Sequence, residues 1–295
     1  MRVTDKMIFE SANTRSARAR SGVDDASRQM STGLRVEHPW DDPSAAAGII
    51  RLKSSSDRSS AIAEVATRVV SELNATDEAL GGMNEVLSRA RDLAVQFGNG
   101  TYAAEERAAA ATEVNGLIQQ TLTFANTRFG GRYLFAGFRD ATQPFDNTGT
   151  YSGDDGIRRA EVAPGQFEDA SVSGSKIFQG AGGGVDIFAT LRSLKTALEG
   201  NDAETVRASI ATVDQSIDQV TQGRAKAGTG VNVFETAHSA ALAAQEGNDA
   251  AASKLSDADV IATASKLALA QRALDASLTA SAKSFNLSLL DKLGR

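Results

Sequence analysis

Apolar residues recur in steps of four and three from Ile62 through Ala66, Val69, Leu73, Thr76, Leu80, Met83, Leu87, Ala90 and Ala94 to Phe97, with only Thr76 polar. A period of 3.5 held this long predicts a helix over about 59–97 carrying a coiled-coil seam. At ~1.5 Å per residue that helix is roughly 58 Å long, the length of a rod. Gly98, Asn99 and Gly100 end it, and Thr101 opens a second helix through Phe129 with Val114, Ile118, Leu122 and Ala125 on its inner face. After a turn-rich middle, Asp186 stands where it can cap a helix carrying Ile187, Leu191, Leu194 and Leu198. A further helix is expected over about 203–222. Another is expected from near Val231 towards the end, with a weak point at Gly247, Asn248 and Asp249.

The two ends of the chain have opposite problems. The first helix pattern, Ile8, Ala12, Ala19, Val23, Ala26, Met30 and Leu34, is thin in apolar area and broken up by Arg15, Arg18, Arg20 and Arg28. Alone, such a helix buries too little to offset its ordering entropy. At the other end Val260, Leu267, Leu274, Leu278 and Phe285 lie near one face, and Leu287, Leu289, Leu290 and Leu293 follow. At ~100° per residue the last group, with Phe285, spreads over roughly 200° of the helix circumference, more than one partner helix covers. Pairing of the two ends, and burial of that pair among copies of similar pairs, solves both problems and predicts a polymer subunit. The alternative is a closed intramolecular bundle that satisfies both ends at home.

The expected fold is mainly α: an elongated antiparallel helical bundle or coiled coil formed by N- and C-terminal arms, with a small β-rich central insert. Residues 1–58 with 250–295 form a terminal-helix assembly domain, and 59–130 with 185–249 a coiled-coil rod. Residues 131–184 form an outward-facing insert, whose clusters DNTG and SGDDG suit hairpins. The assembly residues are Ile8, Val23, Met30, Leu34, Leu267, Leu274, Leu278, Phe285, Leu287, Leu289, Leu290 and Leu293. The rod seam rests on Ile62, Val69, Leu73, Leu80, Met83, Leu87 and Phe97.

Composition narrows the function. Aromatic residues make up 5% of the 295, alanine is abundant, and the net charge is -6. No basic stripe with interleaved aromatics points to nucleic acid. Cysteine is absent, so disulfide and thiolate chemistry are not available. No apolar run reaches the ~20 residues that cross a bilayer, so membrane insertion is not expected. The opening MRVTDKMIFESANTRSARAR has no apolar core or small-residue cleavage site of a secretory signal, so any export takes a route that does not read one.

The densest chemistry lies in STGLRVEHPWDDPSAAAG, residues 31–48, which holds the only tryptophan and one of two histidines. His38, Asp41 and Asp42 invite a metal or acid–base reading, but two histidines in the whole chain leave any zinc site mostly carboxylate, an uncommon set. Gly180, Gly182, Gly183 and Gly184 match no phosphate-binding loop and read as a flexible joint. No catalytic constellation, cofactor or metal is expected, and the chain reads as non-enzymatic. Gly33, Pro39, Trp40, Asp41, Asp42 and Pro43 instead form a helix joint. Gly33 ends one helix, and one aspartate caps the next, with Pro43 at its first position. The other aspartate is then solvated or paired with Arg35.

These residues resemble the flagellin superfamily. STGLRV followed by DDPSAAA, residues 31–47, is similar to the signature after the first helix of its members. RYLFAG, residues 132–137, with Pro144-Phe145, and the ending LSLLDKL, residues 287–293, are similar to the hook–filament junction members rather than to filament flagellins. VDIFATLRSLKTALEGND and KAGTGVNVFETA follow the superfamily order; between about 143 and 180 nothing carries over. The resemblance implies a structural subunit of the bacterial flagellum, an adaptor that joins hook to filament through paired terminal helices, with a short flagellin as the alternative. It also implies an extracellular location reached by type III export without a cleaved signal. The partners it implies are copies of itself, a second hook-associated junction protein, flagellin, and a cytoplasmic export chaperone.

Overall fold

A computed structural model describes the backbone of residues 2–293, and the side chains of residue 7 and residues 10–283. Among the described residues there are seven helices and four short strands. In chain order they are α1 (Arg2–Thr32), α2 (Pro43–Phe97), α3 (Ala104–Ala125), β1 (Arg128–Phe129), β2 (Arg132–Tyr133), β3 (Arg159–Ala163), β4 (Gln166–Asp169), α4 (Gly174–Phe178), α5 (Ile187–Glu199), α6 (Ala203–Ser256) and α7 (Val260–Leu293). The strands form two separate antiparallel pairs, β1 with β2 and β3 with β4. The protein is mainly helical. It divides into two compact units, one of residues 1–57 and 244–295, the other of residues 58–243.

In the 58–243 unit, all eleven positions of the stripe from Ile62 to Phe97 on α2 are buried. Against them α6 runs antiparallel. The Arg207 guanidinium donates to the Gly98 carbonyl at 3.0 Å, Arg91 pairs with Asp214 at 2.5 Å, Asn84 donates to Thr221 at 3.2 Å, and Arg224 pairs with Asp77 at 2.9 Å. On α6 the buried residues Val206, Val213, Val220, Ala227, Phe234 and Ala241 fall every seventh position. Between them stand Ser209, Ser216, Gly223, Gly230 and Ala237, all small. A methyl group at Gly223 would lie 3.0 Å from the Ile177 Cδ1 and 3.3 Å from the Leu80 Cδ1, and one at Gly230 would lie 2.8 Å from the Leu73 Cδ1. The large residues of α2 therefore sit over positions of α6 that have no room for a side chain, a seam of large residues against small ones.

The structure changes three expectations from the sequence. The helices expected at 203–222 and from Val231 are one, because Gly223 and Gly230 are filled by residues of α2 and α4 rather than left as breaks. The C-terminal break falls at Asp257–Asp259, not at Gly247, because the Ser253 and Ser256 hydroxyls donate to Asp257 and the amides of Ile261 and Ala262 to Asp259. The helix expected at 59–97 is continuous with the one expected to start at Pro43.

The helix expected from Thr101 to Phe129 also shrinks, to Ala104–Ala125. Its start is set by the Glu106 carboxylate, which accepts the Ala103 amide at 2.8 Å, and by Arg107. Its end is set by Asn126, whose side chain exchanges hydrogen bonds of 3.1 Å with the backbone of Phe145 and turns the chain into the middle region. That region is less strand-like than its composition suggests. Leu134, Phe135 and Ala136 are buried without being in a strand, and DNTG closes on itself as the Asp146 carboxylate accepts the amides of Thr148 and Thr150. Phe145 and Phe178 contact edge-on with ring centroids 4.9 Å apart, while Phe188 of α5 lies 5.3 Å from Phe145. These rings belong to the same core as the α2 seam, so the middle region has no core of its own. Ion pairs of Arg158 with Glu72 and of Arg58 with Glu161 tie it to α2.

Arg107 is 3% exposed and has no carboxylate partner among the described residues. Its guanidinium donates to the carbonyls of Phe97 at 3.1 Å, Asn99 at 2.8 Å and Tyr102 at 3.0 Å, and to the side chain of Asn201. It takes up carbonyls that α2 leaves free at its C-terminus and holds the α2–α3 turn closed. Replacing Arg107 by Ala strands those buried acceptors. The expected loss is about 3 kcal/mol of stability, read from the denaturant midpoint. Arg107→Lys, with one nitrogen for several carbonyls, recovers only part; an unchanged midpoint in both variants refutes the assignment.

Candidate assembly surface

The other unit is built on α1 and α7, which pack side by side. They run antiparallel: a methyl group at Gly22 would sit 3.8 Å from the Ala270 Cβ, while Leu34, just past α1, bridges Asp257, just before α7. The backbone stitches this end. The Ala258 amide donates to the Gly33 carbonyl at 2.8 Å, and the amides of Arg35 and Val36 donate to the Ser256 carbonyl at 2.6 and 3.1 Å. The Arg35 guanidinium adds a bond of 2.7 Å to the Leu255 carbonyl.

Pairing alone covers little. Among the described residues only Ala26 on α1 and Thr263 on α7 are buried. Val23, Leu34, Leu267 and Leu274 are half-buried, and Met30 and Leu278 are exposed. The side chains of Ile8, Phe285, Leu287, Leu289, Leu290 and Leu293, expected at this surface, lie outside the described residues. The structure adds Ile261, 81% exposed, and Leu269, 64% exposed, which the helical spacing did not single out; Val260, on the expected face, is 60% exposed. A helix pair with this much uncovered apolar surface has the character of a contact surface for other chains.

The joint between α1 and α2 is a self-satisfied loop. Gly33 ends α1 with φ at +71°, a conformation that disfavours any side chain. Asp42 precedes Pro43, and its Oδ1 accepts the Ala45 amide at 2.9 Å as a cap on α2, while its Oδ2 pairs with Arg35 at 3.2 Å. One aspartate therefore does both jobs that the sequence divided between two. Asp41 closes the turn instead, accepting the amides of His38 at 2.8 Å and Glu37 at 3.1 Å. Beneath the loop Val36, Ala45, Ala46 and Ile49 form a small core with Leu255. The His38 ring stacks on Trp40 with centroids 4.4 Å apart, and Trp40 is 74% exposed beside Pro39. The nearest carboxylate to the imidazole is Asp41, with the Nδ1 3.8 Å from its oxygen. Among the described residues no three His, Asp or Glu side chains stand close enough to share a metal ion, and no helix is long and apolar enough to cross a membrane.

Comparison with known proteins fits this architecture. Residues 3–140 match the model of the bacterial flagellin N-terminal helical region. The chain is 31% identical to flagellar hook-associated protein 3 of Escherichia coli, over 85% of this chain and 87% of that protein. It is 28% identical to the protein of that name from Salmonella typhimurium, over 94% and 95%. The solved flagellar hook-associated protein 3 of Legionella pneumophila shares the fold, with a TM-score of 0.63 at 17% identity, over 70% of this chain and 98% of that one.

The joint carboxylates carry a pH dependence of defined sign. Backbone amides, from His38 above all, hold Asp41 below the ordinary 3.8; the Ala45 amide and then Arg35 do so for Asp42, and the hydroxyls of Ser253 and Ser256 for Asp257. A carboxylate with a depressed folded pKa stabilises the fold above its unfolded value, and that contribution is lost as pH falls through the folded one. Amide exchange around residues 37–46 is therefore expected to accelerate as pH drops below 3.8 relative to the α2–α6 seam, after correction for intrinsic rates. Asp42→Asn, which keeps a capping oxygen but removes the charge, should blunt that change.

Proposed function

This chain belongs to the family of flagellar hook-associated protein 3, and on that premise we propose that its α1–α7 pair is the surface through which it is built into the flagellum as an adaptor between hook and filament. The protein is a structural component of the bacterial flagellum. The observation that carries the adaptor reading is the contrast between its two units. In the 58–243 unit the seam of α2 and α6 is buried, whereas α1 and α7 stay largely open with Val260, Ile261 and Leu269 in solvent. A subunit whose own fold leaves its terminal helices uncovered gains stability when neighbours cover them.

In this reading the role is structural and not enzymatic, and the joint at residues 33–43 sets the angle at which the terminal pair leaves α2. The neighbours are copies of the same chain, a second hook-associated protein on one side and flagellin on the other. A cytoplasmic export chaperone covers the C-terminal helix beforehand, and export to the extracellular flagellum takes place without a cleaved signal. The residue set at the surface is Val23, Met30, Leu34, Leu267, Leu274 and Leu278 with Ile8 and the leucines beyond Phe285, joined by Val260, Ile261 and Leu269. The alternative of a filament flagellin is disfavoured because hook-associated relatives match at 28–31% identity, against 24–25% for the flagellins of Listeria.

A strain lacking this protein should assemble hooks without filaments, seen by electron microscopy. Complementation by a chain lacking residues 274–295 should fail, while residues 58–243 keep their unfolding transition. Leu269→Asp should lower incorporation with no change in that transition. Filaments on the hooks of the truncated strain would refute the role given to the terminal pair. In the free monomer, amide protection should concentrate in residues 58–243 and be low along α1 and α7.

A further inference from the structure

The 58–243 unit has an open groove of about 1070 Å³ between α6 and the middle region. Its α6 wall carries Gln215, Asp218, Gln222, Lys226, Thr229 and Val233, a span of roughly 27 Å at ~1.5 Å per residue. Opposite stand Glu168 and Asp169 of β4, Lys176 of α4 and the glycine loop at 182–184. Successive side chains of a strand point to opposite faces, so two consecutive residues line the groove where it meets the edge of β4. That edge is free. β4 pairs with β3 alone, and the Ala170 amide donates inward to the Arg158 carbonyl at 2.7 Å. By the antiparallel alternation the amides of Phe167 and Asp169 and the carbonyl of Asp169 point outward. The Phe167 carbonyl, on the same edge, already accepts the Arg159 guanidinium at 2.7 Å.

Glu168, Lys176, Asp218 and Lys226 are exposed, and none has an ion-pair partner among the described residues. Their order along the groove follows from the packing. Arg158, opposite Ala170 at the end of β4, pairs with Glu72, and Gly230 faces Leu73, so the β4 carboxylates lie at the level of Gly230. Ile177 faces Gly223, which sets the adjacent Lys176 near Lys226. Asp218 lies beyond, next to Gln219, whose amide holds the end of the glycine loop through Val185. The charges therefore run acid, base, acid.

We propose that this groove takes an extended segment of another protein, which adds a strand to the free edge of β4 and carries a cation, an anion and a cation in that order. At helical rise about 6 Å separates the level of Gly230 from Lys226, and about 12 Å separates Lys226 from Asp218. An extended chain at ~3.3 Å per residue covers those distances in about two and about four residues. Both intervals are even, so the three charges stand on one face of the added strand. No stretch of this chain has a basic, an acidic and a basic residue at intervals of two and four in either direction, so a second copy is not the source. The order of charges selects the direction of the segment as well as its identity.

The full-length protein is titrated with end-blocked peptides of about eight residues built from valine and threonine. One has lysine at the first and seventh positions and glutamate at the third; the other has these charges exchanged. At low ionic strength the first should bind about tenfold more tightly than the second, and the ratio should fall towards one as salt is raised. Its binding should slow exchange of the Asp169 amide. Of two N-methylated forms of the first peptide, blocked at odd or at even amides, one should bind and the other should not, because only one set of amides faces β4. Lys176→Glu with Lys226→Glu alters two exposed side chains and should remove the preference between peptides; if that chain does not fold, Asp218→Lys should reduce it. Equal affinity for the two peptides, no binding of either, binding by both N-methylated forms, or protection of the Asp169 amide by self-association without peptide each overturns the proposal. The groove lies wholly within the 58–243 unit, so none of these outcomes bears on incorporation through α1 and α7.

Discussion

The structure depends on a seven-residue register shared by α2 and α6. Val206, Val213, Val220, Ala227 and Phe234 repeat at that interval on α6, and Ser209, Ser216, Gly223 and Gly230 repeat between them at the same interval. A small residue at each of those places lets Leu73, Leu80 and their neighbours reach the α6 backbone, so the two helices approach closely along the seam. The polar pairs at its flanks repeat the interval: Asp214 meets Arg91 and Thr221 meets Asn84, seven residues on along one helix and seven back along the other. A slip of one helix past the other would drive leucine side chains into methyl and hydroxyl groups and break these pairs together. The phenylalanine cluster and the inner face of α3 share one core with that seam.

The two units solve the entropy problem of long helices differently. A helix gains little from its own hydrogen bonds in water and must bury a face. In α2 the face is buried by α6, with Ala66, Leu80, Met83, Leu87 and Ala90 at 0% exposure. In α1 and α7 much of the apolar content is alanine, and the mutual contact leaves Met30, Val260, Ile261, Leu269 and Leu278 in solvent. Neighbours outside the chain can supply the burial that this pair lacks among its described residues. That dependence suits an assembly component, because the stability of its terminal helices becomes conditional on having neighbours.

What could be read in the sequence follows the chemistry of each element. The α2 seam is legible because its positions are leucine, isoleucine, valine and methionine, whose contrast with polar neighbours is large. The matching seam on α6 is not, because Ser209, Ser216, Gly223 and Gly230 carry no hydrophobic signal, and glycines inside a helical stretch look like breaks until the partner that fills them is known. The same holds for Arg107: in the run AAEERAAAATE nothing separates a buried arginine from a solvated one, and only the return of α2 and Asn201 to the same place reveals it. The joint is legible for the reverse reason. Glycine, proline and aspartate act on their own backbone within three or four residues, so Gly33, Asp42 and Pro43 behave as local rules require. Which aspartate meets Arg35 was not local, since the choice turns on how Arg35 is held against the Leu255 carbonyl.

The joint shows why local legibility matters to an assembly subunit. Its turn is closed by Asp41 on its own backbone amides and by Asp42 on the start of α2, all within the stretch 37–46, so it forms without help from any other chain. The turn is therefore complete in the free protein, while Val260, Ile261 and Leu269 on α7 are still uncovered. Arg35 extends this control to the other arm: one guanidinium holds both the cap of α2 and the end of α6, so α1 and α7 leave the joint together. Helices that are already paired lose less conformational freedom when neighbours dock than two independent helices would.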